Sequence, residues 1–242
     1  MTALFCLPYA GGSARVFEDW APVLAPGVEV VPLELPGRGT RLREEPVDRL
    51  EPLVRDVVGQ VLGAVGPFAA APVALLGYSY GSVLAFETAR RLEHVHGLRV
   101  DHLVVAAMRG PRWPGPVVTT ASLTSRGLRE RLGRLNGTAT ELLTDDAFMA
   151  LLEPVLRADF AVADAYQWRD GPGISCPVTA LGGDADRSVS VAALDAWADA
   201  TSGAFARHVL PGDHFFLRPA RDELLRLLAA VLRPAPIEQE VA

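Results

Sequence analysis

Residues 74–92 read ALLGYSYGSVLAFETARRL: an apolar run, a serine set among glycines, then a helical pattern. The centre, Gly77-Tyr78-Ser79-Tyr80-Gly81, is a Gly-x-Ser-x-Gly pentapeptide between a predicted strand and a predicted helix. That context gives the pentapeptide its meaning. A sharp strand-to-helix turn lifts a serine hydroxyl above the sheet edge, and glycines two residues away on each side relieve the crowding. The helix that starts beside it aims free backbone N–H groups at the same spot. Ser79 is therefore a candidate nucleophile. A serine hydroxyl is weak at neutral pH, so the reading demands a histidine and a carboxylate later in the chain.

The 242 residues are enough for one large domain with a substantial core. Half are hydrophobic and evenly spread, with no repeat or polar low-complexity tract, so one domain over residues 1–236 with a flexible tail at 237–242 is expected. The opening MTALFCLPYAGG lacks a basic segment and reaches proline and glycine early, which predicts a cytoplasmic protein without a membrane segment. Cys6 and Cys176 lie far apart in apolar runs and read as buried, reduced thiols. A net charge of −6 speaks against a nucleic-acid partner. All 23 basic residues are arginine. The lack of lysine excludes a Walker A loop, Schiff-base chemistry and a kinase-type phosphate lysine together.

Outward from residue 79, short apolar strands alternate with amphipathic helices. Strands are predicted at ALFCLP, VEVVPLELPG, PVALLGY and LRVDHLVVAAM, with helices after the first, from Asp48 to Val65, and over GSVLAFETARRLEH. Asp48 and Glu51 resemble a capping pair. Near-continuous apolar strands alternating with helices indicate a mostly parallel sheet with helices on both faces. The rhythm breaks over about residues 108–170, where helical segments at about 122–135 and 140–167 predict a helical insertion. Strands return at CPVTALGG and ARHVLPG, and a closing helix spans roughly Arg218 to Leu232.

Both partners for Ser79 follow these late strands. Among five histidines, His94 and His96 sit at a helix end before Gly97, and His102 and His208 lie in or beside strands. Only His214 combines a glycine-containing loop with a place just after a late strand. For the acid, Asp184 and Asp186 compete; the spacing Gly183-x-x-Asp186-x-x-Val189 favours Asp186. No metal site is predicted.

At this point the chain resembles the free-standing type II thioesterases that serve polyketide synthases and nonribosomal peptide synthetases, a branch of the α/β-hydrolases. The resemblance spans nearly the whole chain and rests on LFCLPYAGGSARVFEDW, LELPGRGTRLREEP, the Ser79 turn, LLEPVLRADFAVADAYQW, CPVTALGGDADRSV and PGDHFFL. It implies an α/β-hydrolase fold with a helical lid at 108–170, a Ser79–Asp186–His214 triad, and an oxyanion hole formed by the backbone amides of Tyr80 and Ala10. It also implies hydrolysis of acyl thioesters carried on the phosphopantetheine arm of separate acyl or peptidyl carrier proteins, with no cofactor of the enzyme's own. The chain departs from the family in carrying Tyr78, Tyr80 and Tyr9 where histidine, methionine or phenylalanine is common, and AAMRGPRWPGP where a Ser-Gly-Arg-Arg-Ala-Pro-like turn is common. Tyr9 and Tyr78 are accordingly candidate substrate-binding residues. An esterase or lipase-like hydrolase, an acyltransferase and a non-catalytic carrier-binding module are the rival readings.

Overall fold

The computed structural model describes residues 1–66, 71–114, 119–137, 140–167 and 171–233. The expected tail at 237–242 lies outside them. In chain order the elements are β1 (Thr2–Leu7), α1 (Ala21–Leu24), β2 (Val28–Pro32), α2 (Leu50–Val65), β3 (Val73–Tyr78), α3 (Tyr80–His96) and β4 (His102–Ala106). Then follow α4 (Ser125–Leu135), α5 (Thr140–Thr144), α6 (Asp146–Ala165), β5 (Val178–Gly183), α7 (Val191–Asp195), β6 (Phe205–Leu210) and α8 (Arg221–Leu232). The six strands pair in parallel in the order β2-β1-β3-β4-β5-β6.

The inner strands β1, β3, β4 and β5 are buried nearly throughout because both sheet faces are covered there, whereas the edge strands β2 and β6 are partly exposed. Successive residues of β1 alternate sides. Ala3, Phe5 and Leu7 face a core under α2 and α3, while Leu4 and Cys6 face a core under α1 and α8. In β3, Val73 and Leu75 take the first side and Ala74, Leu76 and Tyr78 the second. Cys6 and Cys176 are both buried and unlinked.

Several element boundaries differ from expectation for local reasons. Helix α2 starts from Arg49 with no side-chain cap, so Asp48 and Glu51 do not form the expected capping pair. The segment after β1 forms only a short 3₁₀ turn, Ala14–Phe17, and the single-turn α1. The long helix expected at 140–167 is two helices, because Asp145 turns its carboxylate onto the N–H groups of Ala147 and Phe148 and starts a new one. The insertion has a small core of its own, with Leu128, Leu132, Leu143, Met149 and Leu156 buried together.

Strand order sets where a ligand can sit. The chain moves from β1 outward to β2, then returns to place β3 on the other side of β1. Connections leaving β1 and β3 therefore run in opposite directions and open a crevice at their carboxyl ends, where open parallel sheets bind ligands. The glycine loop after β1 and the Ser79 turn after β3 flank it.

Backbone contact holds the two together. A Cβ on Gly81 would overlap the carbonyls of Leu7 and Pro8, and one on Gly77 would overlap Gly81 itself. Because these neighbours are main chain, no rotamer change relieves the clash. Gly81→Ala is expected to destabilise by about 3 kcal/mol, a large overpacking cost, lowering the thermal midpoint by about 6–12 °C; differential scanning fluorimetry checks it.

Candidate active site

Ser79 is the residue between β3 and α3, and its backbone is strained: φ 51°, ψ −118°. A side chain rarely adopts positive φ outside a structure that enforces it. The enforcing contacts are visible. The Ser79 N–H donates to the Ala106 carbonyl at 2.7 Å. Ser82, wholly buried one turn into α3, donates its hydroxyl to the Gly77 and Ala106 carbonyls at 2.8 and 3.1 Å and accepts the Ala106 N–H at 3.2 Å. The turn is thereby stitched to the end of β4.

His214 Nε2 lies 3.0 Å from Ser79 Oγ, and its Nδ1 lies 2.9 Å from Asp186 Oδ2. The other oxygen of Asp186 accepts from the Ser188 N–H at 2.7 Å, the Ser188 hydroxyl at 2.6 Å and the Val189 N–H at 3.2 Å. Burial works against the charge on Asp186, but the hydrogen bonds and charge of His214 and the bonds from Ser188 outweigh it and hold the carboxyl below its usual range. The geometry is that of a base oriented by an acid and set against a hydroxyl.

Asp184 does different work. Its carboxylate accepts the Gly212 N–H at 2.9 Å, while the Ala185 N–H donates to the Gly212 carbonyl at 2.9 Å. It braces the histidine loop and does not touch the imidazole. Asp213 accepts the N–H of Phe215 at 2.8 Å and the side-chain amide of Asn136, at the end of α4, at 3.0 Å. Of the remaining histidines, His94 bonds the Gly173 carbonyl and His102 the Thr179 hydroxyl, each at 2.8 Å, away from Ser79.

Ala10 borders Ser79 from the glycine loop, and among the described residues its N–H has no backbone acceptor. Tyr80 opens α3, so its N–H has no intrahelical partner. Both amides are available to a developing oxyanion.

Two cavities meet at Ser79, Ala10 and His214. One, about 280 Å³, is walled by the insertion through Leu132, Phe148, Leu152, Leu156 and Phe160, with Tyr9 and Phe215 opposite. The other, about 660 Å³, runs between α4, the loop after β4 and the end of α6, and carries Arg109, Arg112 and Arg131 beside Trp113 and Gln167. Tyr9 lines the first cavity. Tyr78 does not: it is fully buried under the histidine loop and lines neither cavity. Its hydroxyl donates to the His214 carbonyl at 2.7 Å and accepts the Leu217 N–H at 3.4 Å. The reason is strand parity, since Tyr78 shares the face of Leu76 and Ala74 and is covered there by the histidine loop, with Tyr9 and Phe215 between it and the cavity.

Sequence reasoning assigned no role to Ser188, Ser82, Arg38 or Asp159. Ser82 was readable in principle as a polar residue one turn into an apolar helix face. Ser188 bonds Asp186 two residues away, whereas Arg38 and Asp159 depend on contact between distant segments.

The sequence matches the family model of the thioesterase domain over residues 2–232. The gramicidin S biosynthesis protein GrsT of Aneurinibacillus migulanus is 35% identical over 95% of this chain and 88% of its own length. Among solved structures, RedJ, the thioesterase from the prodiginine biosynthetic pathway of Streptomyces coelicolor, superposes with a TM-score of 0.87 at 38% identity, covering 95% of this chain and 85% of that one. The type II thioesterase BorB from the borrelidin biosynthetic cluster gives 0.83 at 35% identity over 96% and 93%.

Substitution separates the two carboxylates. Asp186→Asn, which leaves the imidazole in the wrong tautomer, is expected to lower kcat by roughly 10³–10⁴-fold. Asp184→Asn is expected to act on stability instead and to leave kcat nearly intact. Steady-state hydrolysis with circular dichroism on both variants checks this, and equal losses of kcat would contradict the assignment.

Proposed function

The chain belongs to the thioesterase family and is a hydrolase of the α/β-hydrolase fold, and on that premise we propose that it is a free-standing editing enzyme of polyketide or nonribosomal peptide assembly. Its substrate is an acyl thioester on the phosphopantetheine arm of an acyl or peptidyl carrier protein. The observation that carries this reading is the meeting of two unlike cavities at one serine. An apolar cavity of about 280 Å³ suits an acyl group, and a larger cavity of about 660 Å³, of mixed lining with Arg109, Arg131, Asp164 and Gln167 among apolar side chains, suits a long amide-rich arm entering from solvent. Arg109 and Arg131 line the second cavity and supply cations toward which the phosphate of the arm, and an acidic carrier behind it, would be drawn.

The steps follow from the contacts. His214 Nε2 accepts the Ser79 proton as Oγ attacks the thioester carbon. The oxyanion lies between the N–H groups of Ala10 and Tyr80, each such donor changing kcat by roughly 10²–10³-fold in comparable sites. Collapse breaks the C–S bond, and His214 returns the proton to the departing thiolate of the arm. Water then gives a proton to His214 and attacks the acyl-serine. The second collapse frees the carboxylic acid and restores the Ser79 hydroxyl with that proton. Asp186 holds the imidazole in the required tautomer throughout. Every step is assigned to the chain's own side chains and amides, so we expect no resident cofactor.

In this reading the insertion is a lid whose inner face, Leu152, Leu156 and Phe160, contacts the acyl chain. The product is a free acid and a carrier with its thiol restored, which suits removal of stalled or wrongly primed groups. Among the described residues no helix is long and apolar enough to cross a membrane, and a cytoplasmic location beside the synthase is expected.

The test is intact-mass measurement of propionyl- and hexanoyl-loaded carrier protein after incubation with the enzyme, with matched free esters in parallel. Loss of acyl mass from the carrier, much faster than ester cleavage and absent with Ser79→Ala, is expected. Carriers that stay loaded while esters are cleaved would overturn the carrier assignment.

A further inference from the structure

The glycine loop is pinned from the lid helix by a buried ion pair. Arg38, in the connection between β2 and α2, and Asp159, on α6, are 5% and 0% exposed. The guanidinium grips the carboxylate with both arms, at 2.6 Å to Oδ2 and 2.8 Å to Oδ1. Oδ2 also accepts the N–H of Gly11 at 2.8 Å. Arg38 is itself fixed by the Pro36 carbonyl, which accepts from Nε and from the terminal nitrogen at 3.3 Å each, and it reaches the Gly12 carbonyl at 3.5 Å.

Gly11 follows Ala10, which lines both cavities with Ser79. The Ala10 N–H shares its planar peptide with the Tyr9 carbonyl, which accepts the Gly12 N–H at 2.8 Å, so the pair that holds the Gly11 N–H and the Gly12 carbonyl holds the turn in which the Ala10 amide is set. Gly11 has φ 76°, and a Cβ there would press on the Leu156 side chain, one turn before Asp159. The loop is thus seated on α6 by both packing and charge. A second tie, the Ala14 N–H to the Glu34 carboxylate at 3.1 Å, secures its far end. Asp159 also stands beside Tyr80, the other oxyanion donor. Burial first, then the Asp159 charge, hold the Tyr80 hydroxyl well above its ordinary pKa.

We propose that Asp159, held by Arg38, is a positioning residue for the oxyanion hole: it sets the Ala10 amide through the turn of Tyr9 to Gly12 and makes that hole depend on where α6 lies. The inference rests on the reading of Ala10 as an oxyanion donor. Its consequence is that the helix whose Leu152, Leu156 and Phe160 wall the apolar cavity also holds one of the two donors. An acyl chain that braces α6 therefore braces the hole, and the mobile part of any lid is α4 and α5 rather than α6.

A buried ion pair and a positioning device respond differently to substitution. Breaking one partner strands a charge and destabilises strongly, whereas replacing both by apolar residues of similar size is often neutral. Asp159→Asn keeps an oxygen that can accept the Gly11 N–H but strands Arg38. The double variant Arg38→Met/Asp159→Leu removes both charges and the acceptor together. The expected order of thermal stability is original chain, then double variant, then Asp159→Asn. The expected order of kcat is original chain, then Asp159→Asn, then the double variant at about 10²-fold down, as for a reacting group displaced by about 1 Å, with KM little changed. Phosphonylation of Ser79 by a fluorophosphonate, whose phosphoryl oxygen occupies the oxyanion position, should slow in the same order as kcat. If kcat and phosphonylation follow stability instead, or the double variant keeps full kcat, the pair is only structural and the inference is overturned. An original chain that cleaves no thioester would fail the functional reading, a separate result.

Discussion

The site depends on one contact: the first turn of α3 presses its backbone against the end of β1, with only the missing side chains of Gly77 and Gly81 making room. Everything else at the site is arranged around that approach. It forces Ser79 into its positive-φ turn, brings the loop after β1 beside the hydroxyl, and does so at the point where the sheet reverses its direction of growth. Ser82 then secures the strained turn to β4 from below. The strain is kept because buried hydrogen bonds on both sides over-determine it.

Onto this frame the chain adds two loops from one edge of the sheet and one helix from the insertion. The acid and histidine loops, after β5 and β6, touch backbone to backbone, since a Cβ on Gly183 would overlap the carbonyls of Gly212 and Asp213. That closeness lets Asp186 reach the imidazole while Asp184 serves the loop itself. Tyr78 supports the same loop from beneath. The insertion contributes in two ways. It covers Ser79 with an apolar wall, and through Asp159 it grips the loop that carries the Ala10 amide.

Much of this was legible in the sequence, for identifiable reasons. The turn, the late-strand histidine and the Gly-x-x-Asp-x-x-Val acid are local patterns, and local geometry is what a sequence encodes most directly. The alternation of apolar strands and amphipathic helices gave the parallel sheet. What stayed hidden was of two kinds. Tyr78 was expected at the substrate, but the parity of β3 turns it to the opposite core, a fact that needs the register of the strand end. Arg38 and Asp159 are 121 residues apart; each sits in a segment that carried the resemblance without a role for that residue, and only the folded chain brings them to one glycine. The split between α5 and α6 belongs to neither kind: Asp145 is a capping residue placed before an apolar run, and the pattern could have been read.

The most direct test of the account is the position of the acyl group during turnover. Rapid acid quench of the enzyme mixed with an acyl-loaded carrier protein, followed by digestion and peptide mass spectrometry, should find the acyl mass on Ser79, with less of it accumulating in His214→Ala. Acylation at another residue, or hydrolysis of the carrier thioester that continues in Ser79→Ala, would contradict it.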